Sequence, residues 1–181
     1  MTGDGELEFA PLGHGHRERV ESILQSVGVF NLREIEVALE LFDETFGDSS
    51  PAESDYTFMG AFTRDGELAG YACYGPTPGT DRTFDLYWIA TDSALQGMGV
   101  GTALMREVEA QLAQQRARLL VVETSARTDY APTRDFYGRL GYSEAGRVRE
   151  FYAPGDDRVI FTKRLNLSPG SAGEGDEQQY E

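Results

Sequence analysis

The chain has 181 residues, of which 40% are hydrophobic and 26% are charged, a balance that excludes membrane-spanning and low-complexity proteins and fits a globular domain. Acids outnumber bases by 31 to 16, and the formal net charge of −15 excludes the clustered basic surface that nucleic-acid binding requires. The single cysteine, Cys73, excludes an intramolecular disulfide and a cysteine zinc site, and we expect it in the core.

The N-terminal segment predicts one strand followed by two helices. Residues 6–11 alternate polar and apolar side chains, as a strand does, and residues 14–27 place apolar side chains at helical spacing. A second helix is predicted to begin after Asn31, because Glu34 stands at the position that completes a capping box. The run Gly-Asp-Ser-Ser-Pro at residues 47–51 is typical of a chain break after that helix.

From residue 56 onward the pattern changes to strands with two helices between them. Strands are predicted at residues 56–63, 68–74, 83–91, 118–124, 142–152 and 158–164, helices at residues 101–117 and 131–140, and tight turns at residues 64–67 and 154–157. Residues 118–124 are almost entirely apolar, which is typical of a buried parallel strand, and Gly141 is placed to end the last helix. The order β-α-α-β-β-β-α-β-α-β-β therefore predicts an α+β domain around one mixed sheet at residues 1–165. Residues 166–181 have too few apolar side chains to order themselves and predict a disordered acidic tail.

A glycine-rich loop is the most informative segment for function. Residues 96–101 read Gln-Gly-Met-Gly-Val-Gly and lie between the strand at residues 83–91 and the following helix. Glycines leave backbone N–H groups free to converge on an anion, and the helix N-terminus adds partial positive charge. The loop fails as a Walker loop, because Thr102 and Ala103 follow its last glycine, and its G-x-G-x-G spacing matches a dinucleotide fingerprint poorly.

The loop resembles the acetyl-CoA loop of the GNAT N-acetyltransferases, because Gln96-x-x-Gly99-x-Gly101 follows a strand and opens an amphipathic helix. Residues 136–142, Phe-Tyr-Gly-Arg-Leu-Gly-Tyr, are similar to the F-Y-x-x-L-G-[FY] segment of that family and follow after the same interval of one helix and one strand. The resemblance covers about residues 6–165. It implies the GNAT acyl-CoA N-acyltransferase fold, with a mixed, mostly antiparallel sheet of about seven strands flanked by about four helices. It also implies acetyl-CoA as co-substrate, direct acetyl transfer to an amine, and no metal.

The same resemblance implies roles for individual residues. The backbone of Ile89, Ala90 and Thr91 would lie along the pantetheine arm, and a backbone N–H of a bulged strand near Ile89 would polarise the thioester carbonyl. The pyrophosphate would bind the backbone amides of Gln96, Gly97, Met98, Gly99, Val100, Gly101 and Thr102. Tyr137 would protonate the leaving thiolate, a role that suits a tyrosine hydroxyl. The chain has Tyr130 where many members have asparagine, so that contact is either replaced by Tyr130 or Thr133 or lost.

Acidic side chains supply candidates for the general base. Asp85 on the central strand and Glu123 at the end of the next strand are the two candidates, and a structural or solvent-facing role is the alternative for each. Glu36 and Glu40 lie on the helix that would cover the acceptor site, where a solvated helix face is favoured over a role in holding a cationic amine.

Further side chains are expected around the same site. Arg127 and Arg134 either meet the coenzyme phosphates or lie at the surface. Four aromatic residues are predicted to form core and pocket wall, with residues 151–156 as an alternative lid over the acceptor: Tyr87, Trp88, Phe151 and Tyr152.

These features predict an acetyl-CoA-dependent N-acetyltransferase whose acceptor is a small-molecule amine, with a protein N-terminus or lysine as the alternative acceptor. A non-catalytic acyl-CoA-binding sensor or interaction module, or a nucleotide-dependent protein that binds NAD, are the rival interpretations. Neither nucleic acid nor membrane is an expected partner, and the apolar closing hairpin is compatible with a homodimer. Residues 1–10, with three acids and no base, do not resemble a targeting peptide, so we expect a cytoplasmic protein. The 13 acids against 3 bases of residues 1–55 indicate either an attraction for cationic amines or a high-salt type of surface.

Overall fold

The computed structural model describes residues 7–47 and 54–165 of the protein. The strands of these ranges are β1 (Glu8–Pro11), β2 (Thr57–Phe62), β3 (Leu68–Pro76), β4 (Thr83–Thr91), β5 (Leu119–Ser125), β6 (Ser143–Ala153) and β7 (Asp156–Arg164). The helices are α1 (Arg17–Val27), α2 (Leu32–Phe46), α3 (Val100–Gln114) and α4 (Ala131–Arg139), with short 3₁₀ turns at His14–His16, Ser93–Leu95 and Thr128–Tyr130. No helix of the described residues combines the length and the apolar content needed to cross a lipid bilayer.

The strands form one sheet in the order β1-β2-β3-β4-β5-β7-β6. In the described part of the chain, β4 and β5 are the only parallel neighbours, and the other pairs are antiparallel. The connection from β4 to β5 runs through α3, as a parallel pair requires a crossover of at least a helix in length. The predicted α+β class and the mixed, mostly antiparallel sheet with GNAT topology are confirmed.

Both faces of the sheet are covered by helices, and each face has its own apolar core. The apolar stripe of α3 packs on one face together with the ring of Tyr137 from α4 and the apolar side chains of β5; the stripe consists of Leu104, Met105, Val108 and Leu112. The apolar faces of α1 and α2 pack on the other face, where Phe42 and Cys73 are buried. Burial raises the pKa of the Cys73 thiol, so the residue is a small apolar core residue as expected.

The local sequence explains how α2 begins and how α4 ends. The Asn31 side chain accepts a hydrogen bond from the Glu34 backbone N–H (3.0 Å), and the Asn31 N–H donates to the Glu34 carboxylate (2.7 Å), which is the predicted capping box. Gly141 adopts a left-handed φ of 86° after α4, and the Tyr142 N–H donates to the Tyr137 carbonyl (3.1 Å). This termination fixes the orientation of the last turn of α4, on which Tyr137 lies.

Some predicted boundaries were wrong by a few residues. Helix α3 ends at Gln114 rather than at residue 117, because Arg116 leaves the helical conformation with a φ of 58°. The predicted helix at residues 14–27 begins with a 3₁₀ turn, and α1 proper starts at Arg17. The turn between β6 and β7 contains only Pro154 and Gly155, so β7 begins at Asp156. The predicted tail at residues 166–181 and most of the predicted break at residues 47–51 lie outside the described residues.

Candidate functional site

The two parallel strands separate part-way along their length. Pairing of β4 with β5 runs from Thr83 opposite Leu119 to Leu86 opposite Val122. Beyond that point β4 continues to Thr91 along β3, while β5 continues along β7. The backbone edges of β4 and β5 that face each other are therefore unpaired from residues 87 and 123 onward, which leaves polar N–H and C=O groups on the walls of a cleft.

A β-bulge lies where the strands separate. Cys73 of β3 pairs with Trp88 of β4, and Tyr74 pairs with Leu86, so Tyr87 is the extra residue. The bulge stands two residues before Ile89, near which it was expected. It also changes the alternation of side chains, because Leu86 and Ile89 both pack against the core beneath α3.

The cleft has a volume of about 1040 Å³ and reaches both faces of the sheet. Its walls come from the α1–α2 connection, α2, β4, the glycine loop, β5, the start of α4 and the β6–β7 hairpin. Val122 packs in the core beneath α3, so the next residue, Glu123, lies on the opposite face. By the same alternation Asp85 lies opposite Leu86. Both carboxylates thus lie on the face covered by α1 and α2, and Tyr137 lies on the face covered by α3 and α4.

The glycine loop presents backbone N–H groups at one end of the cleft. Gly97 and Gly99 have left-handed φ values of 80° and 86°, which residues other than glycine rarely adopt. Gly99 caps α3, and no side chain bonds to the first turn of the helix. The amides of Gln96 and Met98 donate to the carbonyls of Ser93 (3.3 Å) and Leu95 (3.2 Å). The amides at positions 97 and 99 and those of the first turn of α3 have no such acceptor among the described residues, and of these residues Gly97 and Gly101 line the cleft.

Tyr137 lies in the cleft on a ring cluster. Its side chain is 3% exposed and contacts the rings of Phe136, Tyr142 and Phe161 at centroid distances of 5.4, 5.7 and 6.0 Å. Its hydroxyl has no hydrogen-bond partner within the described ranges. Burial raises the pKa of Tyr137, so the phenol is protonated at neutral pH and is available as a proton donor.

The two candidate bases differ in their surroundings. Asp85 accepts a hydrogen bond from the Thr77 hydroxyl (2.6 Å). Glu123 forms an ion pair with Arg158, whose guanidinium also lies 4.6 Å from the Phe151 ring centroid. The charge of Glu123 is therefore already compensated by Arg158. Of the two carboxylates, Asp85 is the one without an ion-pair partner among the described residues.

A hydrogen-bonded link across the cleft was not predicted from the sequence. The Tyr130 hydroxyl donates to Glu34 Oε1 (3.1 Å), and the second oxygen of that carboxylate holds the cap of α2. Burial, followed by the charge of Glu34, raises the pKa of Tyr130. Tyr130, at the position where the family resemblance implies an asparagine, thus bonds to the first turn of α2. Glu34 was recognised only as a capping residue, and no pattern in the sequence joins two positions 96 residues apart.

The two arginines after β5 bond to the chain around them, and of the two only Arg127 belongs to the cleft lining. Arg127 pairs with Asp129 (2.9 Å) and donates to the Val29 carbonyl (3.1 Å), while Arg134 donates to the carbonyls of Ser125 (2.7 Å) and Arg127 (2.9 Å). Each guanidinium therefore fixes the loop between β5 and α4. This arrangement favours a structural role for both residues over direct contact with coenzyme phosphates.

Thr124 is a further cleft residue that was not predicted. Its side chain is 6% exposed, and its hydroxyl has no hydrogen-bond partner among the described residues. A buried hydroxyl without a partner is costly, so a bound molecule is a natural source of the missing bond. The only indication in the sequence is a threonine next to Glu123 at the polar end of a strand that is apolar up to Val122.

Most of the predicted site residues meet in this cleft. The lining includes Asp85, Ile89, Ala90, Thr91, Gln96, Gly97, Gly101, Glu123, Tyr130, Thr133 and Tyr137. Of the predicted set, it leaves out Met98, Gly99, Val100 and Thr102. Tyr87, Trp88 and Tyr152 line the cleft as expected for pocket wall, whereas Phe151 is 50% exposed outside it. Glu36 and Glu40 point to solvent and pair with Arg33, in agreement with the favoured solvated face.

The comparisons with known proteins agree with this geometry. A model of the acetyltransferase (GNAT) family matches residues 26–142, which is more than half of the chain and includes both the glycine loop and the F-Y segment. The chain belongs to the GNAT family of acetyltransferases. The family predicted from the two motifs is thereby confirmed, and with it the class of enzyme.

Three individual proteins show what this GNAT acetyltransferase is similar to. A crystal structure from Desulfovibrio desulfuricans, described as an acetyltransferase of the GNAT family, is 39% identical, covers 89% of this chain and all (100%) of its own, and has a TM-score of 0.82. An uncharacterised N-acetyltransferase of Methanocaldococcus jannaschii is 23% identical over 149 residues, in a match that covers 78% of this chain and 92% of its own. A protein from Salmonella typhimurium described as an acetyltransferase, with acetyl-CoA bound, is 13% identical and shares the fold with a TM-score of 0.67, covering 93% of this chain and 99% of its own.

Proposed function

We propose that this GNAT acetyltransferase transfers the acetyl group of acetyl-CoA to the amine of a small molecule. The observation that carries the proposal is the cleft between the separated ends of β4 and β5, which joins open backbone amides on one side to two carboxylates on the other. The cleft volume of about 1040 Å³ lies at the upper limit of the range of small-molecule sites, about 300–1,000 Å³.

The residues present fit acetyl-CoA. The unpaired edge of β4 at Ile89, Ala90 and Thr91 offers strand-like hydrogen bonds to the amides of a pantetheine arm. The open amides of the glycine loop and of the first turn of α3 offer an anion site for the pyrophosphate. The acetyl-CoA in the related Salmonella structure supports the same co-substrate here. Tyr130 and Thr133 both line the cleft, which supports either of them as the replacement for the asparagine contact that the family resemblance implies.

The reaction requires one nucleophile, one base and one acid. The neutral amine nitrogen attacks the thioester carbonyl carbon and forms the C–N bond, and the surplus proton on nitrogen passes to a carboxylate, directly or through water. The C–S bond then breaks, and the leaving sulfur takes a proton from the Tyr137 hydroxyl. The products are the N-acetylated amine and free coenzyme A. We expect the unpaired N–H groups at the bulge of β4 to stabilise the carbonyl oxygen as it gains charge.

We assign the acid and the base to opposite faces of the sheet. Tyr137 is protonated and without a hydrogen-bond partner among the described residues on the α4 face, which suits an acid. Asp85, on the α2 face, suits the base better than Glu123, because the Glu123 charge is compensated by Arg158. We therefore propose Asp85 as the base and Glu123 as a wall residue that Arg158 orients.

Calorimetric titration with acetyl-CoA, with NAD and ATP as controls and at low and molar salt, tests the first half of the proposal. We expect acetyl-CoA alone to bind. Release of free thiol in the presence of a panel of primary amines tests the second half. Binding without thiol release for any amine would favour an acyl-CoA sensor, and the absence of acetyl-CoA binding at either salt concentration would overturn the proposal.

A further inference from the structure

Most of the acids that line the cleft have no ion-pair partner. The acids of the lining are Glu34, Asp85, Glu123 and Asp156. Within the described ranges only Glu123 is ion-paired, with Arg158. The lining arginines Arg33 and Arg127 pair with acids outside the lining. Three carboxylates of the cleft therefore lack an ion-pair partner among the described residues.

Asp156, at the start of β7, is the most buried of these carboxylates. It is 7% exposed, and its Oδ1 accepts hydrogen bonds from the Ser125 hydroxyl (2.5 Å) and the Ala126 amide (3.2 Å). Its Oδ2 has no donor in the part of the chain that the structure describes. The two bonds to Oδ1 fix the carboxylate at the end of β5, where Asp156 lines the cleft. A buried carboxylate without a cation is costly, so a cationic group of a bound molecule is a natural partner for Oδ2.

Asp85 and Asp156 lie on the same face of the sheet. Val159 of β7 packs in the core beneath α3, so Asp156, an odd number of residues before it, lies on the opposite face. Asp85 lies on that opposite face as well. Asp85 resembles Asp156 in having one oxygen bonded, here to the Thr77 hydroxyl, and no ion-pair partner within the described residues.

The strand register separates the two carboxylates along the cleft. Asp85 stands opposite Val121 of β5, whereas Asp156 bonds to Ser125 of the same strand. Four residues of a strand span about 13 Å. Glu123 lies between these two levels, and its charge is compensated by Arg158. The cleft thus has two separate carboxylates for cations, one on each side of a compensated pair.

Aromatic side chains on the same face can accept an apolar chain. Phe30 and Trp88 both line the cleft and form an edge-to-face pair with ring centroids 5.5 Å apart. Both rings pack against the core beneath α1 and α2, on the face that carries Asp85 and Asp156. Contact with a methylene chain would remove apolar surface from water on both sides.

We infer that the acceptor is a linear diamine, with a reactive primary amine and a second cationic nitrogen at the far end of a methylene chain. The reactive nitrogen would meet Asp85, which takes its proton, and the distal ammonium would bind Asp156 Oδ2. The inference rests on the proposed function and names the substrate class of the same site. The products would be the mono-acetylated diamine and free coenzyme A.

Arg158 defines the competing assignment. Its Nε–H is buried and has no acceptor among the residues that the structure describes. A carboxylate at the far end of the acceptor could bind there, and the acceptor would then be an amino acid rather than a diamine. The two assignments predict opposite preferences for the charge of the distal group.

Matched acceptors test the charge of the distal group. The first set is 1,6-diaminohexane, 6-aminohexan-1-ol and 6-aminohexanoate, which share a primary amine and a chain and end in a cation, a hydroxyl or an anion. The second set holds the eight-carbon equivalents. Initial rates of thiol release with acetyl-CoA give kcat/KM for each, in about 0.15 M NaCl to screen the overall charge. We expect the diamine to exceed the amino alcohol by at least about tenfold in at least one set, and the amino acid to be slowest.

Two neighbouring aspartates provide a variant and its control. Asp156→Asn keeps the oxygen that accepts from Ser125 and Ala126 but removes the charge, and it should lower the ratio of diamine to amino alcohol about tenfold. Asp157→Asn removes the same charge one residue away. Asp157 lies outside the lining and accepts from the Glu150 amide (2.9 Å), so this change should leave the ratio unaltered. Because each ratio is measured on one preparation, a loss of folded protein does not alter it.

The outcomes separate the inference from the proposed function. Equal rates for diamine and amino alcohol in both sets, or the highest rate with an amino acid, would overturn the inference and leave the acetyltransferase proposal standing. A ratio that falls equally in both variants would assign the preference to overall charge and would also overturn the inference. Acetyl-CoA binding with no thiol release from any amine would overturn both.

Discussion

Two neighbouring tyrosines show how the same side chain takes different roles. Tyr137 and Tyr142 contact each other in one ring cluster, and both are almost fully buried. The Tyr142 hydroxyl donates to Glu109 (2.8 Å), which pairs with Lys163 (2.7 Å), and none of these three residues belongs to the cleft lining. The Tyr137 hydroxyl has no partner in the described part of the chain and lies at the cleft. Tyr142 therefore contributes to stability, and the Tyr137 hydroxyl is free to act as a proton donor.

Replacing Tyr137 with phenylalanine is expected to lower kcat about 100-fold, because a general acid contributes roughly that factor or more. The affinity for acetyl-CoA and the free energy of unfolding should stay nearly unchanged, since no hydrogen bond is lost. Steady-state thiol release, calorimetry and urea denaturation measure the three quantities.

Tyr142→Phe is the matched control and is expected to show the opposite result. It removes a hydrogen bond to a charged group, which costs about 1.5–3 kcal/mol of unfolding free energy, and it leaves kcat unchanged. A full kcat in Tyr137→Phe would remove the residue from the mechanism.

At the scale of single residues, the sequence predicts local roles better than distant ones. Asn31 and Glu34 were recognised as a capping box because the pattern spans only three positions. The second role of Glu34, as acceptor for Tyr130, depends on how α2 and the β5–α4 loop are brought together by the whole sheet. The unpartnered hydroxyl of Thr124 could likewise not be predicted from the sequence, because its lack of a partner depends on the packed structure.

At the scale of elements, periodicity predicted the number and order of the strands and helices. A bulge near Ile89 was expected only from the family resemblance, and the separation of β4 from β5 was not predicted. Residues 86–89 read Leu-Tyr-Trp-Ile, so every position is apolar or aromatic and the alternation that would reveal an extra residue is hidden. The bulge becomes visible only through the register with β3, where Leu86 and Ile89 pack on one side and Trp88 on the other.

The glycine loop permits a test of conformation separate from stability. Gly97 and Gly66 both have left-handed φ values, 80° and 81°, and an added Cβ would meet no atom within 4 Å at either position. Each Gly→Ala change is therefore expected to cost about 1 kcal/mol of unfolding free energy through backbone strain alone. Only Gly97→Ala should weaken acetyl-CoA binding, by about tenfold or more, because a change of φ there re-orients the neighbouring amides.

Gly66, in the turn between β2 and β3, serves as the control for strain. Calorimetry with acetyl-CoA and urea denaturation on both variants give the comparison. Equal affinities in the two variants would exclude the loop amides as the anion site.

At the scale of the whole molecule, the acidity of the chain lies mainly outside the cleft. Among the acids of the described residues up to position 55, Glu34 is the one that lines the cleft, while Glu36 and Glu40 face solvent. The excess negative charge of the N-terminal part is therefore better explained by a hydrated acidic surface than by attraction of the acceptor amine.

This surface makes stability depend on pH in two opposite ways. From pH 7 down to the isoelectric point near 4.5, the net charge of −15 falls towards zero, so self-repulsion decreases and the folded state gains stability. Below about pH 4 the trend reverses, and the folded state loses stability as the pH falls further. The hydrogen bond from Arg17 lowers the pKa of Asp43, and the Ala94 amide together with Arg19 lowers the pKa of Asp92. The contributions of Asp43 and Asp92 to the free energy of unfolding are present above the unfolded-state pKa. They are lost as the pH falls through the lower folded-state pKa.

We therefore expect the free energy of unfolding to be largest near pH 4.5–5 and to fall on both sides, with salt acting on one side only. Raising NaCl from about 0.05 to 0.5 M should stabilise the protein at pH 7, where it screens repulsion, and change little near the isoelectric point. Urea denaturation at three pH values and two salt concentrations measures this. Asp92→Asn, which removes the ion pair with Arg19, should flatten the acid side while leaving the salt response at pH 7 intact. A stability at pH 7 that does not respond to salt would contradict self-repulsion as the cause, and the acidic surface would then need a different explanation.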